Sequence, residues 1–166
     1  MRVLGIDPGT RSCGWGVVER VGSRLAHVAH GTIRLGEGEL AGRLVALEGE
    51  VVEVLAAWSP ESAAIEAMFF GKNAESAAKL AHARGVVMLA LRRAGLELGE
   101  YPPARVKSAV AATGQADKNQ IARVVAMMLG LKETPQSDAA DALALAITHT
   151  SALAFAGALK RGPSSR

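Results

Sequence analysis

The chain has 166 residues and a formal net charge of +3, and 49% of its residues are hydrophobic while 4% are aromatic. Domains run from roughly 50 to 200 residues, so a chain of this length buries one core without a metal or disulfide. A chain of 166 residues leaves no room for two full-sized lobes. Any function that needs a two-lobed clamp within one chain is therefore disfavoured.

Cys13 is the only cysteine, which excludes an intrachain disulfide framework and a multi-cysteine zinc site and fits a reducing compartment. We interpret it as a small buried hydrophobic residue. The opening MRVLGID has one basic residue, and Asp7 interrupts an apolar run that is too short for a signal peptide. These features predict a cytoplasmic protein.

Charge is unevenly distributed along the chain. Residues 1–101 contain 11 basic and 12 acidic side chains (net −1), whereas residues 102–166 contain 8 basic and 4 acidic ones (net +4). A basic C-terminal part indicates an anionic partner such as nucleic acid.

Three β-rich runs open the chain, at residues 2–7, 12–19 and 25–35. The turn residues Pro8-Gly9-Thr10 separate the first two, and Val21-Gly22-Ser23 separates the last two. Such closely spaced runs predict three antiparallel strands in a meander.

The apolar period then changes to three and four residues, which predicts a helix over 40–58. A short apolar run at 63–66 predicts a buried fourth strand. A second helix is predicted from Asn73, as its N-cap, to Arg93. A fifth strand is expected at 96–101, followed by helices at 104–112, 118–129 and 137 to about 155.

The last predicted helix contains a long uncharged stretch between Asp141 and Lys160. By composition alone it resembles a membrane span. However, the polar residues 148–151 stand in its middle and Asp138 and Asp141 open it. These features favour a buried core helix.

Three meander strands followed by two strands that are each reached through a helix predict an α/β fold. The sheet is expected to be mixed and five-stranded, with helices on both faces. We expect one domain over residues 1–156 and a flexible tail over 157–166.

Four acidic residues lie in apolar surroundings: Asp7, Glu66, Asp138 and Asp141. A buried carboxylate is costly unless a cation pairs with it. Asp138 and Asp141 are three residues apart, so on a helix they share a face and repel each other. Purely structural roles remain open for three of them, since acidic residues in a first turn complement the helix dipole and Asp before Pro-Gly is common in turns.

If the first and fourth strands are neighbours, Asp7 and Glu66 converge at one edge of the sheet, and a helix packed there adds Asp138 and Asp141. Hard oxygen ligands so arranged suit Mg²⁺ or Mn²⁺. Two such ions, roughly 3.5–4 Å apart, would clamp the attacking and leaving oxygens of a phosphodiester. The pattern therefore predicts metal-dependent phosphodiester cleavage.

Three segments resemble the RuvC family of Holliday junction resolvases over about residues 1–150: GIDPGTRSCGWGVV, AIEAMFFGKNAESAAKLAHARG and PQSDAADALALAITH. The resemblance implies an RNase H-like fold and a homodimer. It also implies divalent-metal-dependent paired nicks in opposed strands of a four-way DNA junction, leaving 5′-phosphate and 3′-hydroxyl ends, in recombination and repair. RuvA and RuvB are the branch-migration partners that it suggests.

By the same resemblance, Asp7, Glu66, Asp138 and Asp141 are the catalytic residues that hold Mg²⁺ or Mn²⁺, two ions per site. In some relatives one of the last two positions is histidine, so Asp138 and Asp141 need not contribute equally. His82 and His149 are left out of the catalytic set, because metal-bound water makes a histidine base unnecessary.

The resemblance also implies DNA-binding roles for Phe69, Lys107 and Lys118. The residue types alone leave alternatives open: Phe69 and Phe70 could both close the core, and exposed lysines are usually solvated. One phenylalanine exposed at such a turn could instead stack on a base.

The small residues of the second helix, Ala77, Ala78, Ala81 and Gly85, would let another helix approach, either from a dimer partner or within the fold. The resemblance favours the dimer contact.

Three rival functions remain. Asp7-Pro8-Gly9-Thr10 is similar to the first phosphate loop of sugar kinases and actin-like ATPases, but those enzymes clamp nucleotide between two lobes. The second rival is an RNase H-like nuclease that acts on RNA, and the third is a junction-binding module with a dead site. Four intact carboxylates argue against the third.

Overall fold

The computed structural model describes residues 1–67, 74–111 and 117–161, without the side chains of 160 and 161. Within these ranges the chain forms five strands and five helices. In chain order they are β1 (Arg2–Asp7), β2 (Ser12–Val21), β3 (Arg24–Arg34), α1 (Leu40–Trp58), β4 (Ser62–Glu66), α2 (Ala74–Arg93), β5 (Glu97–Tyr101), α3 (Pro103–Ala111), α4 (Lys118–Leu129) and α5 (Ser137–Arg161).

The strands form one mixed sheet in the order β3-β2-β1-β4-β5. The first three are antiparallel neighbours, and β4 lies parallel between β1 and β5. The predicted meander and the two helical crossovers are confirmed. The order makes β1 and β4 neighbours, which was the condition for their terminal carboxylates to meet.

Helices cover both faces of the sheet, as predicted. One core cluster joins the sheet to α1 and α2, through residues such as Leu47, Val51 and Val87. The other joins it to α3, α4 and α5, through residues such as Val106 and Ile147. The strands between the two layers are therefore buried on both sides.

Most element bounds agree with the predictions to within one or two residues. Helix α3 begins at Pro103, because proline is well accommodated in the first turn of a helix. Helix α4 begins with a capping box in which Asp117 and Gln120 satisfy each other's backbone N–H groups, and it ends at Gly130 in the left-handed conformation. The predicted N-cap Asn73 lies outside the described residues.

Helix α5 lies directly on the sheet because glycines leave space for its backbone. A Cβ atom built on Gly5 would lie 1.9 Å from the Ala142 carbonyl oxygen, and one on Gly14 would lie 2.0 Å from the Asp138 carbonyl oxygen. These separations are impossible for real side chains, so only glycine allows the approach. The contact at Gly14 holds the start of α5 over the end of β1, since Gly14 pairs with Asp7.

The uncharged stretch of α5 is apolar enough, by length and composition, to cross a membrane. In the structure its residues 142–147 are buried in the core between the sheet and the neighbouring helices. The core-helix prediction is therefore confirmed for this stretch.

The helix continues past its predicted end near Phe155 to Arg161, because Ala and Leu in this segment favour helix. Of the tail predicted at 157–166, residues 157–161 are thus helical, and the rest lies outside the described residues.

Candidate active site

Asp7 and Glu66 are the last residues of two neighbouring parallel strands. The pairing of Ile6 with Ile65 places the two carboxylates side by side at the carboxyl edge of the sheet. Ligand sites of open α/β sheets lie at this edge. Both side chains are partly buried there.

A cleft of about 450 Å³ opens over these two carboxylates. Helix α5 contributes Asp141 to its lining, and α3 and α4 contribute Lys107 and Lys118. The apolar side chains of Pro103, Val106, Ile121 and Leu145 complete much of the wall. Three acidic and two basic residues thus share one cleft with low-polarity walls, which strengthens the charge interactions within it.

Asp138 occupies the other side of the site. It lines a neighbouring cleft together with Arg11, Ser12 and Arg34. It also lies in the first turn of α5, where the helix dipole favours a negative charge. Asp138 is therefore stabilised by the helix dipole, and it is also close enough to Asp7 for its charge to raise the pKa of Asp7.

Lys118 forms an ion pair with Asp141, with Nζ 3.3 Å from Oδ2. The charge of Asp141 is the main cause of the raised pKa of Lys118, although burial opposes it. Lys118 remains largely exposed. The lysine therefore neutralises part of the acidic cluster while its ammonium stays accessible from solvent.

Burial raises the pKa of Asp7 to about 7, and the charges of Asp141, Glu66 and Asp138 contribute to the rise, while Lys118 opposes them. Burial and then Asp141 also raise the pKa of Glu66, against the charges of Lys118, Lys107 and Arg84. Burial and the acidic neighbours therefore disfavour the ionised forms of both carboxyl groups more than the nearby basic side chains favour them.

The raised pKa of Asp7, caused first by burial and then by its acidic neighbours, predicts an unusual pH dependence of stability for the metal-free protein. Because the folded pKa of Asp7 is above its unfolded value, its contribution to the free energy of unfolding is full at low pH and is lost as pH rises from about 4 to about 7. Asparagine does not ionise, so Asp7→Asn should not lose stability over this pH range. At pH 8 in EDTA, we expect the variant to exceed wild type by up to about 4 kcal/mol.

Urea unfolding of both proteins at pH 4 and pH 8 measures this effect, and the difference between them should nearly vanish at pH 4. A variant that is less stable than wild type at pH 8 would show that Asp7 is not electrostatically strained.

Carboxylate oxygens are the ligands that Mg²⁺ and Mn²⁺ prefer. A divalent cation would offset both the burial of Asp7 and the repulsion by its acidic neighbours, which together raise its pKa. By donor type and charge the cluster fits such an ion. Among the described residues, no three acidic, histidine or cysteine side chains are yet close enough together to hold one ion. Binding would therefore require their side chains to move closer together.

His149, which was left out of the predicted catalytic set, lies in the core. His149 is buried, with Nε2 2.7 Å from the Ser62 hydroxyl and Nδ1 2.7 Å from the Tyr101 hydroxyl. Since the Ser62 hydroxyl donates to the Glu97 carbonyl, it accepts from Nε2, and Nδ1 accepts from Tyr101. Both ring nitrogens are thus engaged in the core.

The predicted DNA-stacking residue Phe69 and its neighbour Phe70 lie outside the described residues.

Cys13 is fully buried, and burial followed by the charge of Asp7 raises its pKa to about 12. The thiol is therefore un-ionised at neutral pH, and a thiol without thiolate character is unreactive. The interpretation as a small hydrophobic residue is confirmed.

Sequence reasoning missed Arg84, a buried residue of α2 whose guanidinium reaches the carbonyl of Glu66. The available signal was its position: Arg84 stands between Ala83 and Val87 on the apolar face of its helix. An arginine on such a face requires buried partners.

The fold and this acidic cleft define the class of RNase H-like resolvases. A solved structure of Thermus thermophilus RuvC matches 94% of this chain and 97% of its own, with 37% identity and a TM-score of 0.83. A second structure, T. thermophilus RuvC with a Holliday junction substrate, matches 93% and 96%, with 36% identity and a TM-score of 0.84. A yeast mitochondrial Holliday junction resolvase, at 14% identity and a TM-score of 0.66, shares the fold.

The model of the family described as crossover junction endodeoxyribonuclease RuvC matches residues 3–149. Proteins of that name are similar to this chain along most of its length. The one from Sorangium cellulosum is 54% identical over 160 residues, 96% of this chain and 89% of the relative. The one from Ruegeria pomeroyi is 48% identical over 149 residues, 90% of each. The chain belongs to the RuvC family of crossover junction endodeoxyribonucleases.

The resemblance and the predicted fold class are therefore confirmed. The nuclease prediction is favoured over the phosphotransferase and the RNA-nuclease alternatives. Nucleases of this family depend on a divalent metal, which agrees with the donor chemistry of the cleft.

Proposed function

We propose that the protein resolves Holliday junctions by nicking two opposed strands of the four-way junction, in homologous recombination and DNA repair. The observation that carries the proposal is the convergence of Asp7, Glu66 and Asp141 with Lys107 and Lys118 in one cleft. Carboxylates suit the metal-dependent chemistry and lysines suit the phosphates of the substrate. A T. thermophilus relative of the same fold was solved with junction DNA.

Asp7, Glu66, Asp138 and Asp141 are proposed to hold Mg²⁺ or Mn²⁺, with two ions per site. The chemistry that such ions supply is activation of the attacking water and stabilisation of the departing 3′ oxygen. The protein's part is to bring the carboxylates together at the sheet edge and to keep apolar walls around them. When water attacks the phosphorus and the 3′ oxygen departs, the products carry 5′-phosphate and 3′-hydroxyl ends.

Lys107 and Lys118 are proposed to contact backbone phosphates of the DNA. Lys118 is paired with Asp141 in the structure, so a cation that neutralises Asp141 would free the lysine for a phosphate. Metal and DNA binding would then support each other. Phe69 is proposed to stack on an unpaired base at the junction.

A homodimer is proposed because cuts in two opposed strands require two active sites. Helix α2 supplies support for the contact: Leu89 is half exposed, and a Cβ atom on Gly85 would meet nothing within 4 Å. RuvA and RuvB are the proposed partners, and the cytoplasm is the proposed location.

The test compares nicking of a four-way junction with nicking of a linear duplex of the same sequences. We expect paired nicks in the junction only, with Mg²⁺ or Mn²⁺ present and none in EDTA. Equal cleavage of the linear duplex would overturn the junction assignment. Cleavage in EDTA would overturn the metal assignment.

A further inference from the structure

Arg84 makes two contacts at the carboxyl edge of the sheet. Its Nη1 donates to the Glu66 carbonyl oxygen at 2.9 Å, and its Nη2 donates to the carboxylate of Glu100 on β5. The arginine side chain is 10% exposed, whereas that of Glu100 is 49% exposed. A buried guanidinium of this kind is normally committed to specific geometry, because its planar fork fixes both partners at once.

The strand pairing offers the Glu66 carbonyl no backbone N–H donor among the described residues. The backbone N–H of Ala67 donates to the Tyr101 carbonyl of β5 at 2.8 Å. No cis peptide bond occurs in the described residues, and the C=O and N–H of a trans peptide point to opposite sides of a strand. The Glu66 carbonyl therefore faces β1 and not β5.

On the β1 side the ladder lacks a donor. Continuing the parallel pairing of Ile6 with Ile65 places residue 8 opposite residue 67, and an N–H at position 8 would then donate to the Glu66 carbonyl. Position 8 is proline, which has no N–H. Pro8, Glu66 and Arg84 line one common cavity at this point.

We propose that Arg84 is a positioning residue for the acidic site. From α2 it supplies the hydrogen bond that Pro8 cannot, and it holds the end of β4, and with it Glu66, beside Asp7. Glu100 holds the guanidinium in place. This inference rests on the proposed function, because it takes Glu66 as one of the carboxylates that hold metal.

The experiment uses the full chain with Arg84→Met, Arg84→Lys and Glu100→Gln. The matched control is Arg92→Met: Arg92 lies on the same helix and its guanidinium also contacts a backbone carbonyl and a carboxylate, those of Leu96 and Glu97, away from the site. Four quantities are measured: the nicking rate, the metal concentration for half-maximal rate, the rise in Tm on adding Mn²⁺, and the Kd for junction DNA in EDTA.

For Arg84→Met we expect the nicking rate to fall and the half-maximal metal concentration to rise, each by about 10–100-fold, as for other partners that orient metal ligands. The rise in Tm with Mn²⁺ should shrink, while Kd for the junction stays within about twofold because phosphate contacts set it. Arg84→Lys should recover part of the loss, since it keeps the charge and a donor. Glu100→Gln should show a smaller loss, and Arg92→Met none.

A folded Arg84→Met protein with wild-type metal dependence would overturn the inference. If that variant does not fold, Arg84→Lys and Glu100→Gln decide: an unchanged half-maximal metal concentration in both overturns it. Glu66→Gln separates this failure from that of the proposed function. If Glu66→Gln also nicks at the wild-type rate, the acidic site itself is wrongly assigned, whereas an inactive Glu66→Gln beside a normal Arg84→Met overturns only the role of Arg84.

Discussion

Asp7→Asn is expected to lose nicking of four-way junctions by about 10³-fold or more, while junction binding is retained. Loss of a residue that only hydrogen-bonds to a metal ligand lowers activity or metal affinity by about 10–100-fold. Loss of a direct ligand should lower activity more. Asn keeps the shape of Asp but removes the charge at the centre of the cluster. DNA affinity depends on phosphate contacts by basic side chains, so it should not fall.

The measurements are the single-turnover nicking rate in Mg²⁺ or Mn²⁺ and junction affinity by gel shift in EDTA. Asp117→Asn is the control, because Asp117 caps α4 with an exposed carboxylate and Asn caps a helix equally well. Nicking at the wild-type rate by Asp7→Asn would remove this residue from the catalytic set.

Gly14→Ala is expected to damage both stability and activity. The new Cβ would lie 2.0 Å from the carbonyl oxygen of Asp138 and 2.3 Å from its carbonyl carbon. Backbone atoms cannot give way as a flexible side chain does, so the start of α5 must shift. We expect the free energy of unfolding to fall by about 1–3 kcal/mol and the nicking rate by about 10²-fold, as for displacements near 1 Å.

Urea unfolding and the nicking rate in saturating metal measure these two losses. Gly49→Ala is the matched control: Gly49 lies within α1 with open space around its Cβ position, so this change should stabilise the protein by about 0.5–1 kcal/mol. If Gly14→Ala leaves stability and rate unchanged, close contact between α5 and β2 is not what places Asp138.

Local patterns were sufficient for most of the elements. The period of three and four residues predicted α1 at its observed bounds, Leu40–Trp58. The end of α5 was missed because Ala-rich segments form helix without a clear apolar face, so a period says little about where they stop. The bounds that were predicted correctly depend on residues that are neighbours in the chain, and the sequence shows those neighbours directly.

The four acidic residues were identified from their apolar surroundings, and the parallel pairing of β1 and β4 confirmed that Asp7 and Glu66 meet. The sequence did not predict that the two carboxylates of α5 would line different clefts. Asp141 lines the main cleft, and Asp138 lines the neighbouring one. Residues three apart on a helix differ enough in direction to enter different clefts, and which clefts exist depends on the helices packed around them.

The sequence by itself determined the fold class, the family and the candidate carboxylates, because strand and helix periods, turn residues and buried charges are local properties of the chain. The tertiary structure decided that Lys118 pairs with Asp141, that α5 rests on Gly5 and Gly14, and that Arg84 bonds the Glu66 carbonyl. Each of these contacts joins residues far apart in the chain. Their distances depend on how helices pack on the sheet, to within an ångström, and no local pattern encodes that.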